Sequence, residues 1–390
     1  MNSIYYLDNN ATTAVAPEVV EAMMPYFQCE WGNPSSAYYF GHHLGKEIDQ
    51  ARVKVAAMIN CSPRELIFTS CGTESDNTAI FSALETTGKK HIVTSAVEHS
   101  AITKQMDFLK AKGYEVTFIP VESDGTLNPA SVESAICPET AIVSLMYANN
   151  ETGVIFPITE VSKICKKHGV LFHSDAVQAA GKLKIDVKEL GVDFLSLSAH
   201  KIHAPKGIGA LYVRNRTPFQ PYIIGGHQER QRRAGTENVP YIVGFGKAAE
   251  LCLASLEEEN THVRSLRDRL EEGILSQIPY TRLNGNKLLR IPNTSNISFE
   301  YIESEAILMM FDQLGICASS GSACTTGSVG ASHVLSAMGL SPMQARGSVR
   351  FSLSRYTTDK DIDVVLEHLP SIINKLRAMS PLNEAHPDNV

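Results

Sequence analysis

The chain has 390 residues with a formal net charge of −7, and 43% of its residues are hydrophobic. At roughly 150 residues per domain, this length predicts two to three domains, most simply one large and one small. The composition excludes a disordered, collagen-like or coiled-coil protein. The negative net charge argues against a partner such as nucleic acid or a membrane surface, because binding either one needs a basic face.

The N-terminus and the cysteines predict where the protein works. The first residues show no basic segment followed by an apolar one, so we predict no signal peptide. No stretch approaches the roughly 20 apolar residues of a membrane span. The eight cysteines include no C-x-x-C pair and are too sparse for a disulfide scaffold. We therefore expect a soluble, cytoplasmic protein in a reducing environment.

Short and nearly uninterrupted apolar runs alternate with longer amphipathic stretches over residues 64–213. Such runs are typical of strands that are buried on both faces of a parallel sheet, with helices between them. The fold class is therefore α/β. The strands predicted in this region include Leu66–Phe68, His91–Val93, Ala141–Met146 and Val170–Phe172, and the helices include Ile102–Lys112 and Ile158–His168.

The pattern changes near residue 255, where helical spacing of apolar residues predicts one amphipathic helix over 256–278. Strands and helices then alternate in a way that indicates a second, smaller α+β unit. Its predicted elements are a strand at Asn296–Phe299, a helix at Glu305–Leu314, a half-exposed strand at Val349–Leu353 and a closing helix at Asp359–Met379.

Two strands of the large unit end in residues that can carry chemistry. Phe194–Ser198 leads into Lys201, and the run from Val170 ends at Asp175. Open α/β sheets place catalytic groups at the carboxyl ends of their strands. A lysine in a dry site there can form a Schiff base, and an aspartate can keep a pyridine nitrogen protonated, as the electron sink of pyridoxal phosphate requires. Taken singly, Lys201 could be an ordinary solvated loop lysine and Asp175 an ordinary helix N-cap.

Two more segments follow strands. Residues 69–76 combine a strand end, a glycine turn and a helix start, in which Thr73 and Asp76 predict a capping box. The free amides of that helix could bind a phosphate, although an ordinary cap explains the segment equally well. His99 follows the strand at His91–Val93, and its imidazole could stack on a cofactor ring and move protons. A purely structural histidine is the commoner case.

The small unit contains ten successive small residues, 319–328, with Cys324 among them. Such a run cannot pack a core, so we predict a mobile loop at about 318–332 that exposes Cys324. Arg350 lies on the face of its strand opposite Val349 and could grip a carboxylate through two hydrogen bonds, although a surface arginine is commoner. The other cysteines lie in or beside apolar segments and are expected to be inert: Cys29, Cys61, Cys71, Cys137, Cys165, Cys252 and Cys317.

Together these segments make the chain similar to the cysteine desulfurases, which are fold-type I enzymes dependent on pyridoxal phosphate. The resemblance covers essentially the whole chain, and its most specific stretches are 69–76, 148–153, 175–178, 198–201 and 319–325. The long small-residue loop resembles that of the NifS/IscS group, and residues 7–10 and 225–230 are closest to NifS, the nitrogenase-associated member. The chain departs from the usual pattern at Arg346 and at 329–331, which could alter loop mobility or partner choice.

The resemblance implies a large domain, residues 14–258, with a mainly parallel seven-stranded sheet, and a small domain formed by 1–13 and 259–390. It also implies that Lys201 carries the cofactor as a Schiff base, that Asp175 pairs with the pyridinium and that His99 stacks on the ring and shuttles protons. Cys324 would take the sulfur of L-cysteine as a persulfide and leave L-alanine. The resemblance also implies that the phenolic oxygen of the cofactor is bound by Asn150 and Gln178, and the substrate carboxylate by Asn33 and Arg350. The phosphate would be bound by Gly72, Thr73, Ser198 and His200, and by Thr236 from the partner subunit of a homodimer.

The resemblance further implies an iron–sulfur scaffold or another sulfur-acceptor protein as the partner, in nitrogenase maturation, general cluster assembly or tRNA thiolation. A transient iron contact at Cys324 is the one metal site considered. Several alternatives remain open from the sequence. They are a selenocysteine lyase, a transaminase or other fold-type I enzyme, a cysteine hydrolase that uses Cys324 with His333, and a sulfur carrier without catalysis.

Overall fold

The computed structural model describes residues 3–320 and 331–380. Its strands are β1 (Tyr5–Tyr6), β2 (Leu66–Thr69), β3 (His91–Ser95), β4 (Glu115–Ile119), β5 (Thr140–Met146), β6 (Leu171–Asp175), β7 (Phe194–Ser198), β8 (Gly209–Val213), β9 (Thr281–Asn284), β10 (Thr294–Phe299), β11 (Ile316–Cys317), β12 (Ser319–Ser320) and β13 (Ser348–Ser352).

Its helices are α1 (Pro17–Met23), α2 (Pro25–Gln28), α3 (Tyr39–His42), α4 (Leu44–Met58), α5 (Gly72–Thr87), α6 (Ser100–Ala111), α7 (Pro129–Ala135), α8 (Ile158–His168), α9 (Val187–Leu190), α10 (Gln228–Gln231), α11 (Val239–Glu258), α12 (Arg264–Gln277), α13 (Ser304–Gln313), α14 (His333–Ala337), α15 (Pro342–Arg346) and α16 (Asp359–Met379). Single 3₁₀ turns lie at Pro63–Glu65 and Ala199–Lys201, and a π-helical turn at Glu259–Val263 joins α11 to α12.

A seven-stranded sheet with the order β2-β8-β7-β6-β5-β3-β4 forms the centre of the large unit. Its pairs are parallel except at β8, which runs antiparallel to β2 and β7. Neighbouring residues of one strand enter different cores: Ile142 packs with α5 and α6, whereas Val143 packs with α4, α8 and α11. Helices therefore cover both faces, which explains the uninterrupted apolar runs and confirms the predicted α/β sheet.

The smaller unit contains an antiparallel sheet of order β12-β13-β10-β9 and a parallel β1–β11 pair. Leu7 joins its core together with side chains of α12, α13 and α16, which confirms the predicted small α+β unit. The proposed boundaries at 13/14 and 258/259 stay a prediction. Val334, Leu335 and Met338, around α14, pack into the core of the large unit.

The long helix differs from its prediction. Instead of starting at 256, the helical stretch runs continuously over Val239–Gln277, and the Asn238 side chain caps its start by accepting from the Tyr241 amide. By length and composition alone this stretch is apolar enough to cross a membrane, which the sequence analysis did not foresee. Its first half packs in the large core, as a core helix does. A Cβ at Gly246 would lie 2.7 Å from the Ala51 Cα, so α11 and α4 approach closely.

The prediction that the strand around Arg350 is half-exposed is wrong. All five residues of β13 are buried, and Arg350 is only 3% exposed. The alternation of apolar and polar residues is real, but the N-terminal segment and the loop after β5 cover the polar face. Arg350 contacts Asp8 from the first and Asn150 from the second.

A buried ion pair holds the turn that contains α10. Arg52 on α4 donates from its two terminal nitrogens to the Glu229 carboxylate at 2.7 Å each, and the Phe68 amide donates to the same carboxylate at 3.1 Å. Glu229, Arg230 and Gln231 have positive φ angles of 46°, 58° and 64°. These conformations are unfavourable for residues with a Cβ, so the ion pair stabilises a strained turn.

Arg52→Met is therefore expected to lower the free energy of unfolding by about 3–5 kcal/mol, because it leaves the Glu229 carboxylate buried without its cation. Urea unfolding followed by circular dichroism measures the change. Arg282→Met, at an exposed position of β9, is the matched control and should unfold with the wild type. Equal stability of the two variants would contradict a structural role for the pair.

Candidate active site at the carboxyl edge of the large sheet

Lys201 lies directly after β7, in the 3₁₀ turn Ala199–Lys201. Its Nζ donates to the carbonyl oxygens of Asn10 at 2.5 Å and Ala11 at 2.7 Å. Both carbonyls belong to the segment after β1, which crosses the sheet edge at this point. The lysine therefore lies at the carboxyl end of a central strand, as the sequence predicts.

Asp175 ends the neighbouring strand β6 and is buried. Burial raises the pKa of its carboxyl to about 6, the nearby Asp76 raises the pKa as well, and His99 lowers it. Oδ1 accepts from the Val177 amide at 2.9 Å, but turns follow and no helix starts there. A cation placed against this carboxylate would favour its ionised form.

His99 is the N-cap of α6, and its Nδ1 accepts from the Ala101 amide at 3.2 Å. Burial lowers the pKa of the imidazole, and Asp175 opposes that shift while Lys201 and His333 add to it. Since Nδ1 accepts a hydrogen bond, the neutral ring carries its hydrogen on Nε2. His99 is thus both a structural cap and a neutral imidazole beside Asp175 and Lys201.

The start of α5 differs from the predicted capping box, which is wrong. The N-cap is Cys71, whose side chain makes no capping bond, and Asp76 lies fully buried in the second turn. Burial raises the pKa of Asp76 to about 7. A Cβ at Gly72 would lie 2.8 Å from Val177 Cγ2 and 3.5 Å from Ser198 Cβ, so these segments meet closely. The first-turn amides, with no capping side chain from Cys71, suit an anion.

Asn10, for which the sequence predicted no role, connects several of the predicted site residues. Its carbonyl accepts from Gln178 Nε2 at 3.0 Å as well as from Lys201. Its side-chain Nδ2 donates to the Asn150 carbonyl at 3.2 Å and to Thr294 Oγ1 at 2.8 Å. Gln178 Oε1 is buried with no hydrogen-bond partner among the described residues, so it can accept from a bound molecule.

Arg350 reaches the same edge from β13 of the small unit. One terminal nitrogen donates to Asp8 Oδ1 at 2.7 Å, and the other donates to the Asn150 carbonyl at 2.9 Å. Its Nε is buried and has no hydrogen-bond partner within the described part of the chain. The nitrogen that binds Asp8 carries a second hydrogen, so one side of the guanidinium can still receive a carboxylate.

The remaining predicted residues fall into two groups. Ser198 is buried at the end of β7, and the Nδ1 of His200 lies 3.1 Å from Thr12 Oγ1, both at the Lys201 edge. Asn33 and Thr236 are on exposed loops, where the Asn33 side chain accepts from the Ser35 amide. No described hydrogen bond joins either of them to the cluster around Lys201.

Cys324 lies outside the described residues. The ends of the predicted loop at 318–332 differ from the structure, because Ser319 and Ser320 form β12 and Ser332 caps α14. The other seven cysteines are free thiols. Burial raises the pKa of Cys165 to about 12 and of Cys252 to about 11, as expected for inert thiols, whereas Cys29 is exposed. Residues 3–320 and 331–380 contain no group of three or more metal-ligating side chains.

Comparison with known proteins identifies the family. The model of the class-V aminotransferases matches residues 5–365. The chain belongs to this family. It is 54% identical over 380 residues to a cysteine desulfurase of Nostoc sp., covering 97% of this chain and 95% of the relative. It is 50% identical over 378 residues to the cysteine desulfurase NifS of Azotobacter vinelandii, covering 96% and 94% of the two chains.

Solved structures agree with the fold. A NifS-like protein superposes with a TM-score of 0.90 at 37% identity, covering 96% of this chain and all of that chain. A structure described as SspA in complex with cysteine has a TM-score of 0.80 at 34% identity, covering 90% and 99%. The family and fold predicted from the sequence are confirmed.

Enzymes of this family depend on pyridoxal phosphate, and the residues at the sheet edge fit this cofactor. Lys201 would supply the amine for its aldehyde, Asp175 a carboxylate for its ring nitrogen, and the start of α5 the amides for its phosphate. The Oε1 of Gln178 would supply a buried acceptor, since it has no hydrogen-bond partner among the described residues. The Nε2 of the same side chain donates to the Asn10 carbonyl, which also accepts from Lys201. These groups cover the aldehyde, the ring and the phosphate.

Proposed function

We propose that this chain converts L-cysteine to L-alanine and receives the sulfur as a persulfide on Cys324. L-cysteine and the Cys324 thiol together yield L-alanine and the persulfide, so atoms and electrons balance. Relatives at 50–54% identity over nearly the whole chain are named cysteine desulfurases, and a solved relative binds cysteine. The observation that carries the proposal is that Lys201, after β7 of the large sheet, is linked to Arg350 of the small sheet through Asn10 and Asn150.

Bound at Lys201, pyridoxal phosphate would supply the electron sink that labilises the bonds at the substrate Cα. Asp175 would keep the ring nitrogen protonated, since a buried carboxylate favours a cation beside it. Gln178 and Asn150 would hydrogen-bond the phenolic oxygen. The phosphate would be held at the start of α5, where the helix dipole favours an anion, by Gly72, Thr73, Ser198 and His200.

Two groups move protons in this proposal. The Lys201 amine would take the proton from the substrate Cα. His99 accepts the thiol proton of the substrate on Nδ1, which then releases its hydrogen bond from the Ala101 amide. The ring is neutral near pH 7 and can take this proton, because burial lowers the pKa of the imidazole. Cys324 attacks the substrate sulfur and must therefore reach this edge of the sheet.

Arg350, together with Asn33, binds the substrate carboxylate, and Arg350→Lys is expected to raise the KM for L-cysteine about 100-fold. Lysine keeps the positive charge but loses the planar pair of donors, so kcat should change by less than about threefold. Initial rates of alanine formation at varied L-cysteine measure both constants. Arg346→Lys, at a nearby exposed position, is the control. An unchanged KM in Arg350→Lys would reject this carboxylate site.

The activity is tested by incubating the protein, loaded with pyridoxal phosphate, with L-cysteine and a thiol reductant. Alanine and sulfide should appear in equal amounts with no 2-oxo acid added. A transaminase would require the 2-oxo acid and release no sulfide, and a hydrolase or a passive sulfur carrier would make no alanine. Parallel assays with L-selenocysteine separate a desulfurase from a selenocysteine lyase, which would release selenium but leave L-cysteine unchanged.

The sulfur acceptor in our proposal is an iron–sulfur scaffold protein, including one that serves nitrogenase. The names NifS and IscS among relatives at about 50% identity support this assignment. We also place the reaction in the reducing cytoplasm, where the free thiols stay reduced. Sulfur transfer from the loaded enzyme to purified candidate scaffolds tests the acceptor.

A homodimer is the assembly we propose, with Thr236 of one subunit at the phosphate of the other. An exposed aromatic cluster formed by Trp31, Tyr38, Tyr39 and Phe40 supports it, since large apolar patches mark interfaces. The Trp31 and Phe40 rings lie 5.0 Å apart between centroids. Light scattering should give twice the monomer mass, and a monomer with full activity would reject the shared site.

A further inference from the structure

His333 lies at the start of α14 and is exposed, but it binds the peptide next to the active-site histidine. Its Nε2 lies 2.9 Å from the carbonyl oxygen of Glu98. Because a carbonyl only accepts, Nε2 of His333 carries the hydrogen. This carbonyl belongs to the peptide unit that joins Glu98 to His99. The position of His333 is therefore linked through one hydrogen bond to the backbone of His99.

The partner peptide is held firmly on its other side. The Glu98 side chain is fully buried, and its Oε1 accepts from Ser95 Oγ at 2.5 Å and from the Met146 amide at 3.1 Å. His99 itself caps α6. A hydrogen bond to the Glu98 carbonyl thus acts on a peptide that has little freedom, and it fixes where the His99 side chain begins.

The start of α14 is held at a second point. Ser332 caps the helix by accepting from the Leu335 amide at 3.1 Å, and its hydroxyl donates to the buried Glu151 carboxyl at 2.5 Å. Glu151 follows β5, and Glu98 follows β3. His333 is therefore held in place against the loops at the carboxyl edge of the sheet.

A protonated His333 would also act on His99 through charge. Asp175 on β6 favours the protonated His99 ring, whereas Lys201 after β7 and His333 on α14 disfavour it. His200 and His99 repel each other in the same way when both are protonated. Burial is the largest of the influences that lower the pKa of His99. Since imidazoles gain a proton as the pH falls, a charged His333 opposes the protonation of His99.

We propose that His333 is a positioning residue of the proposed desulfurase reaction, which fixes the Glu98–His99 peptide through its hydrogen bond and which, when it carries a proton, repels a second proton on His99. The two effects are separable. Glutamine at 333 can still donate a hydrogen bond to the carbonyl but carries no charge, whereas leucine can do neither.

The test compares His333→Gln, His333→Leu and, as a control, His262→Gln at an exposed site on the π-helical turn. The pH titration of His99 is followed by NMR on ring-labelled, full-length protein without added cofactor. Both variants at 333 should raise the His99 midpoint by about half a pH unit, because a like charge is removed. The acid limb of kcat/KM should move in the same direction in the loaded enzyme, so activity is lost at a higher pH.

The hydrogen bond is tested at the pH optimum. His333→Leu should lower kcat/KM about fivefold through kcat, and His333→Gln should restore it to within about twofold of the wild type. The control should match the wild type in both measurements. Variants that only unfold more easily, with the His99 midpoint at its wild-type value, would overturn the charge effect. Equal kcat/KM for the Gln and Leu variants would overturn the positioning effect.

Discussion

Lys201→Ala is expected to lower the rate of alanine formation from L-cysteine by about 10⁴-fold or more. The substitution removes both the amine that holds the cofactor and the group that takes the Cα proton, and proton transfer alone contributes about 10²–10⁴-fold. The visible absorbance of the protein-bound cofactor should also disappear after dialysis. Lys206→Ala, an exposed lysine on the same loop, is the control and should keep both properties.

Borohydride reduction and peptide mapping give an independent test of this assignment. The reduced cofactor should label Lys201. Lys182 is the other lysine that could carry the label. It lines a small cavity of about 20 Å³ together with Lys201, and burial lowers the pKa of its amine. A label on Lys182, or an active Lys201→Ala variant, would show that the wrong amine has been assigned.

Cys324→Ala is expected to leave the cofactor absorbance intact while sulfur transfer to an acceptor falls by about 10³-fold or more, as for loss of a nucleophile. A thiolate attacks sulfur, and an alanine side chain has no group that can replace it. Mass spectrometry after reaction with L-cysteine should find one additional sulfur on the peptide that contains Cys324 in the wild type. The variant should show none.

Cys29→Ala is the matched control for this experiment, since Cys29 is an exposed thiol on the large unit. It should transfer sulfur at the wild-type rate. Persulfide on Cys29, or normal sulfur transfer by Cys324→Ala, would remove Cys324 from the reaction.

Sequence patterns predicted helices and strands well where the apolar residues reflect the burial of a single face. The α8 helix agrees at both ends with its prediction, because it buries a single apolar stripe against the sheet and ends at Gly169 in the left-handed conformation. The part of the long helix before residue 256 was not predicted, because the first half of α11 is buried on several faces and shows no such stripe. For β13 the alternation was read correctly, but sequence cannot show that Asp8, distant in the chain, covers its polar face.

The candidate site was predictable as far as it depends on strand ends. Lys201 and Asp175 were found because each follows an apolar run that could only be a buried strand. Asp8 and Asn10 lie in the stretch 7–10 that resembles NifS, but their roles were not predicted, because a short polar run near the N-terminus looks like solvated chain. A local signal is Leu7 directly before them, which is fully buried in the small core. The prediction of a capping box was wrong because the spacing of Thr73 and Asp76 does not reveal that the helix starts at Gly72.

The contact between Asp8 and Arg350 has a consequence for how tightly small molecules are retained. The guanidinium already has an internal anion at 2.7 Å, so an arriving amino acid shares a cation that is partly neutralised. The substrate carboxylate would then be attracted less strongly than by an arginine without a neighbouring carboxylate, because Asp8 offsets part of the positive charge of Arg350. Alanine carries the same amino and carboxylate groups as cysteine, so if Arg350 binds the substrate as proposed, the weakened attraction would also let the product leave. Turnover would then gain from the same contact that weakens the binding of the substrate.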